Sequence, residues 1–284
     1  MNQSKRSFLL YRTVSLVVTI AAMLLCTVNL LFFYEKEIGY YQAGSILPVV
    51  TNVIIVLGVL FFALFSWFGL RKNPPTYSVR TKSTAGTPYL IIIELLLFSA
   101  SVFFVGVGSS FDIPLALTGI LGAVYFLLYD RKWGSAITHF VCGTAQIVFF
   151  ALLLVNSYFD IGVQMNAPIK LAFQLGCIGG MLLMLSEIRL FCGYPSPRFS
   201  AFSNSCAALF LGVASLPTFV ADAFSCLPER SNTLPEFVFL GFFLLALARL
   251  SVPSNEEDEN PPIPLESDNT NNTDGDSETE PSQD

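Results

Sequence analysis

The sequence predicts an all-α, polytopic integral membrane bundle of eight transmembrane helices. Three observations lead there. Hydrophobic residues make up 53% of the 284 and charged residues only 13%, with a mean hydropathy of +0.62. That is too apolar for a soluble domain of this length. The apolar residues also fall into blocks near 12–33, 45–70, 88–109, 113–129, 135–157, 168–189, 201–224 and 234–251, and a bilayer-crossing helix needs about 20 residues at 1.5 Å each. Finally, assigning alternate loops to one side collects 12 of the 15 Lys and Arg there, leaving Lys36, Lys170 and Arg230 opposite. Such a split is what the positive-inside rule describes, and it places both termini in the cytoplasm of a cell (inner) membrane protein.

Each span has its own signals. The first follows Lys5, Arg6 and Arg12, too long for a signal peptide and without a cleavage site after it, so an uncleaved span is expected. The second starts near Pro48, the third near Pro88 and the sixth at Pro168, since proline is favoured in the first helical turn. The fourth is short, bounded by Asp112 and Asp130. The eighth has its core confined between Glu236 and Arg249, and Arg249 is expected to snorkel to the interface. Residues 1–250 form the transmembrane domain.

Residues 251–284 carry 11 acidic residues and no base, whereas residues 1–249 hold a net charge of +5. This acidic segment has too little apolar surface to fold and is expected to be a disordered cytoplasmic tail. The acidity of the whole chain is therefore local to the tail and gives no reason to expect nucleic acid as a partner.

The two halves share a punctuation. Pro48 and Pro75 stand 27 residues apart, as do Pro168 and Pro195; Pro114 and Pro235 open the fourth and eighth spans. A parallel repeat of two four-helix halves would produce this, and so would the ordinary use of proline at helix starts. For helix packing, Gly119 with Ala123 and Gly176 with Gly180 have the four-residue spacing that lets helices approach closely. Pro217 lies deep in the seventh span and should kink it, freeing the carbonyl of Val213.

Several chemistries lack their residues. There is one histidine, His139, no C-x-x-C among the six cysteines and no phosphate-binding or dinucleotide fingerprint. No metal, cofactor or enzymatic activity is expected.

What remains is a carboxylate in an apolar run: Glu94 in "IIIELLLFSASVFF". At six residues past Pro88 it lies about 9 Å into its span, where a charge is costly and expected to find a partner or a function. His139, Cys142, Gly143 and Gln146 share one stripe of the fifth span, and the sixth carries Gln174, Glu187 and Arg189. Glu94, His139, Glu187 and Arg189 are expected to be able to meet in the cytoplasmic third. There Glu94 either lines a hydrated cavity, pairs with Arg189 or His139, or stays protonated and hydrogen-bonds a neighbouring helix. Two functions fit these residues. One is a transporter-like permease for a small solute or ion, with Glu94 binding a proton or cation and Gln146, Gln174 and His139 lining the path. The other is a non-catalytic scaffold or regulatory subunit whose acidic tail binds a basic cytoplasmic protein.

Overall fold

In lipid a chain must satisfy its backbone groups internally, so long apolar runs have only the helix or the closed barrel available. These runs form helices. The computed structural model describes residues 3–71, 86–105, 111–129, 135–159, 166–194, 196–227 and 234–251. They form α1 (Gln3–Phe32), α2 (Leu47–Leu64, continued by a π-helical turn over Phe65–Gly69), α3 (Thr87–Val105), α4 (Asp112–Tyr129), α5 (Ala136–Phe159), α6 (Pro168–Phe191), α7 (Pro197–Ala223) and α8 (Leu234–Ser251). All eight are long and apolar enough to cross a membrane, and the protein is a multi-pass membrane bundle. The acidic tail and the basic residues at 72, 80, 82, 131, 132 and 230 lie outside the described residues.

The helices differ from the apolar blocks mainly at their ends. α1 begins nine residues before the expected 12, because no proline or glycine interrupts residues 3–12. α7 begins at Pro197, whose missing N–H costs nothing in the first turn. α6 ends where Gly193 takes a positive φ of 78°, with Gly193 N–H bonded to Leu190 O (3.3 Å) and Tyr194 N–H to Arg189 O (2.9 Å). This Schellman closure satisfies the last carbonyls of the helix.

With eight passes, α1 starts and α8 ends on one face, here called the terminal side. The opposite face carries the α1–α2 connection, where β1 (Tyr34–Glu35) pairs antiparallel with β2 (Tyr40–Tyr41). That face is the hairpin side. α3, α4, α5 and α6 follow one another in contact, and α8 closes the group by packing on α3, α6 and α7. α7 belongs to this group and also holds α1 and α2 on its other flank. Two hydrophobic cores result. The larger spans α3 to α8, and the smaller joins α1, α2 and α7 around Tyr11, Phe62 and Leu209.

α7 is the most buried span, which explains a composition rich in Ser and Ala. Small side chains let three neighbours approach, and serine hydroxyls can bond across helices or back to their own helix. The Tyr11 hydroxyl donates to Ala201 O (3.1 Å), the Ser205 hydroxyl to Ser15 (3.2 Å) and the Ser203 hydroxyl to Leu182 O. α7 runs through Pro217 without a break, and the flanking hydroxyls of Ser215 and Thr218 donate to Leu211 O and Ala214 O.

The glycines sit at close crossings. Gly119 faces the Ser99 hydroxyl, while Ala123 is buried in the larger core. A Cβ on Gly180 would lie 2.5 Å from the Phe150 ring, and one on Gly176 would lie 2.6 Å from Ala214 Cβ. α6 and α7 do pack along each other, but α2 and α3, their counterparts in a duplication, make no comparable contact. The packing gives the repeat no support.

The α6–α7 crossing is testable. Ala214 Cβ is attached directly to a backbone that cannot yield without moving α7. Gly176→Ala should therefore destabilise the detergent-solubilised protein by about 1–3 kcal/mol, and Ala214→Gly in the same chain should recover part of the loss. A Gly176→Ala protein with an unchanged melting temperature would contradict the crossing.

Candidate functional site

The four residues expected to meet on the terminal side are divided by the structure. Glu187, in the last turn and a half of α6, faces α8, and its partner there is Arg249. Arg249 Nε donates to Glu187 Oε1 (2.7 Å) and Nη2 to Oε2 (2.6 Å), a bidentate pair. The Tyr129 hydroxyl of α4 donates to Glu187 Oε2 (3.0 Å) and lies against Arg249 Nη2. Arg249 is therefore not a snorkelling residue: it is 1% exposed, and Glu187 is equally buried. The correction has a physical reason. A guanidinium held by both carboxylate oxygens has its charge matched within the protein, so the side chain need not reach for water.

Arg189 points elsewhere. It is exposed, with its guanidinium 5.4 Å from the centre of the Phe199 ring. It pairs with neither Glu94 nor His139, because α6 turns residues 187 and 189 to different faces.

His139 does join the Glu187 group, through aromatic rings. Its imidazole stacks on Phe191 (4.7 Å between centres) and meets Tyr125 edge-on (5.8 Å), while Phe191 packs on Tyr129 (4.8 Å). His139 Nδ1 and the Tyr125 hydroxyl are buried without hydrogen-bond partners. Cys142 and Gly143, on the same stripe, are buried too, and Gly143 receives Ile188 of α6.

Glu94 stands apart from this cluster. It is 7% exposed and lies against Gly241 of α8, eight residues before Arg249 and so about 12 Å along the helix. Only a glycine leaves room for the carboxylate there, since a Cβ at 241 would overlap Glu94 Oε2. That oxygen has no hydrogen-bond partner, and no base among the described residues pairs with it. The next residue, Leu95, turns to α4 and touches Gly122, the glycine against which Gln146 of α5 is pressed. Gln146 is fully buried and both its amide atoms lack partners. Gln174 lies near the hairpin side and donates to the Ser157 hydroxyl (3.4 Å), away from these groups.

The polar interior thus has two levels. At the terminal end an ion pair ties α6, α8 and α4 together with aromatic cover. Deeper in the bundle, Glu94 Oε2 and both amide atoms of Gln146 sit in glycine-lined niches without hydrogen-bond partners, and the Gly241 backbone N–H is the one contact that favours the Glu94 carboxylate. Sequence reasoning missed Arg249, Tyr129, Tyr125 and Gly241. Arg249 carried a signal, an arginine within "LLALARLS" at the same membrane level as Glu187; Gly241 carried none beyond its presence in a span.

Comparison with protein-family models, curated proteins and solved structures finds no match to the chain.

Because Glu94 Oε2 has no hydrogen bond to lose and a glutamine oxygen can still accept from the Gly241 backbone N–H, Glu94→Gln should melt within about a degree of the unmodified protein. Gly241→Ala should be worse, at about 1–3 kcal/mol of lost stability from overpacking. Thermal unfolding of both variants in detergent checks this. A Glu94→Gln protein less stable than Gly241→Ala would mean that Glu94 is a structural partner after all.

Proposed function

We propose that this membrane protein is a permease for a small solute or ion, with Glu94 as the carboxylate that takes up a proton or cation during transport. One observation carries the reading: a carboxylate oxygen buried within a span, with neither hydrogen-bond partner nor base. Ionisable groups inside a membrane are costly and usually mark an ion or proton path. A purely structural carboxylate has Glu187 as its example in this chain, held by Arg249 and Tyr129. Glu94 has no side chain to support it, only the Gly241 backbone N–H, and its vacant Oε2 suits a mobile proton or a cation. Its close fit against Gly241 corresponds to a closed state, from which a small displacement between α3 and α8 gives access. The distribution of bases supports an orientation with both termini in the cytoplasm of a cell (inner) membrane. In that orientation the ion pair lies at the cytoplasmic end and acts as a fastening of α8 there.

The same close packing favours a second reading, a non-catalytic scaffold whose acidic tail binds a basic cytoplasmic protein. Glu94 would then be a buried acid that never meets water.

Proton entry distinguishes them. Purified protein in liposomes loaded with a pH-sensitive dye should acidify the lumen when a potassium diffusion potential, inside negative, is imposed. A sodium-sensitive dye under a sodium gradient covers the cation case. Glu94→Gln should reduce the flux to that of protein-free liposomes. If neither ion enters faster than in protein-free liposomes, or if Glu94→Gln conducts as well as the unmodified chain, the permease reading fails.

A further inference from the structure

On the hairpin side, far from the terminal ion pair, a cavity of about 320 Å³ opens between α1, α2, α6 and α7 beneath Tyr40 and Tyr41 of the β2 strand. Its volume is at the low end of ligand pockets, which run from about 300 to 1,000 Å³. The buried wall combines apolar surface from Leu30, Ile55, Ile169 and Val213 with three polar side chains, Asn29, Thr51 and Thr218. No charged side chain lines it.

Within the buried wall one acceptor is left over, while Asn52, Asn166, Tyr40 and Tyr41 lie towards the mouth. Asn29 is 1% exposed, and its Nδ2 donates to Thr51 Oγ1 (2.8 Å). The Thr51 hydroxyl in turn donates to Leu47 O (2.9 Å), and the Thr218 hydroxyl donates to Ala214 O (3.1 Å). Thr51 Oγ1 thus both accepts and donates, and the unmatched acceptor of the three is on Asn29. Asn29 Oδ1 is buried with no partner. Val213, also in the wall, stands four residues before Pro217, which has no N–H to give its carbonyl. Buried acceptors without donors are rare and costly unless something fills the space.

We infer that this cavity is a binding site for a small neutral molecule with an apolar body and a hydroxyl or amide N–H donor, which Asn29 Oδ1 receives. A charged ligand is disfavoured, because the wall offers no counter-charge. A ligand with acceptors alone leaves Asn29 Oδ1 unmatched. The site is separate from Glu94 and does not depend on the permease reading: it stands or falls on its own contacts.

Cys26 is a free thiol in the cavity wall and reports its occupancy. The full chain carrying Cys226→Ser, reconstituted in nanodiscs so that both faces are open, is treated with a negatively charged methanethiosulfonate, and modification at Cys26 is followed by peptide mass spectrometry. Four ring compounds of one size are then compared: cyclohexanol, cyclohexanone, cyclohexylammonium and cyclohexanecarboxylate. Cyclohexanol should slow modification of Cys26, with an apparent affinity about fivefold or more above that of cyclohexanone, which lacks the donor. The two ions should protect least. Asn29→Leu, of nearly the same shape, should abolish the preference for cyclohexanol over cyclohexanone, and Thr51→Val, which leaves Asn29 Oδ1 in place, should retain it. Should Asn29→Leu fail to fold, the comparison of the four compounds on the unmutated wall decides alone. An unreactive Cys26 would show the cavity closed to solution, and equal rates with all four compounds would show that it holds only water. Either result, or best protection by an ion, overturns the inference.

Discussion

The pair between Arg249 and Glu187 is the constraint around which the terminal half of the bundle is arranged. Each charge alone would cost several kcal/mol in this apolar setting, and together they need good geometry and further hydrogen bonds to be tolerated. The protein supplies both: two N–H groups of one guanidinium meet two carboxylate oxygens, and Tyr129 adds a third partner. The consequence is positional. α8 is the last span and one of the shortest, and its final turn is fixed to α6 and α4 by groups that cannot separate cheaply. The rings of Tyr129, Phe191, Tyr125 and His139 then close around the pair and keep water from weakening it.

Fixing α8 at one end also sets what lies further along it. Gly241 is two turns deeper, and it is there that Glu94 fits. Glu187 and Glu94, two of the three buried glutamates among the described residues, illustrate opposite solutions to the same problem. Glu187 is matched by a base and a hydroxyl, so its charge is part of the architecture. Glu94 is matched by a gap where a side chain would otherwise be, so its charge state is left to whatever reaches it. The cavity near Asn29 belongs to another layer, around α1, α2 and the kink-prone part of α7, and shares no residue with either carboxylate.

The sequence made the fold legible because membrane insertion imposes a length and a polarity on every span. The apolar block at 234–251 coincides with α8, and the regular alternation of bases agreed with an even number of passes. Helix ends were less legible where nothing in the sequence stops a helix, as at residues 3–12, or where proline opens one early, as at Pro197. The interior was legible in part. Glu94 and Glu187 announce themselves as carboxylates among apolar residues, but their partners depend on which face of each helix turns inward. Arg189 is two residues from Glu187 and nearly opposite it on the helix, whereas Arg249 is 62 residues away and in contact. Membrane depth put Arg189 beside Glu94 and Arg249 at the interface, and the facing of the helices decided otherwise. Nor could any spacing reveal that Asn29 gives one amide N–H to Thr51 and retains an unmatched oxygen.

The most direct test of this account is a double-mutant cycle across the ion pair, with unfolding free energies measured for the unmodified protein, Glu187→Met, Arg249→Met and the double variant. Either single change strands a buried charge and should cost about 3–5 kcal/mol, whereas the double variant replaces the pair by packing and should lose much less than the sum. A coupling of at least about 2 kcal/mol is the expected result. Strict additivity of the two single losses would contradict it, and with it the view that α8 is held to α6 through these two charges.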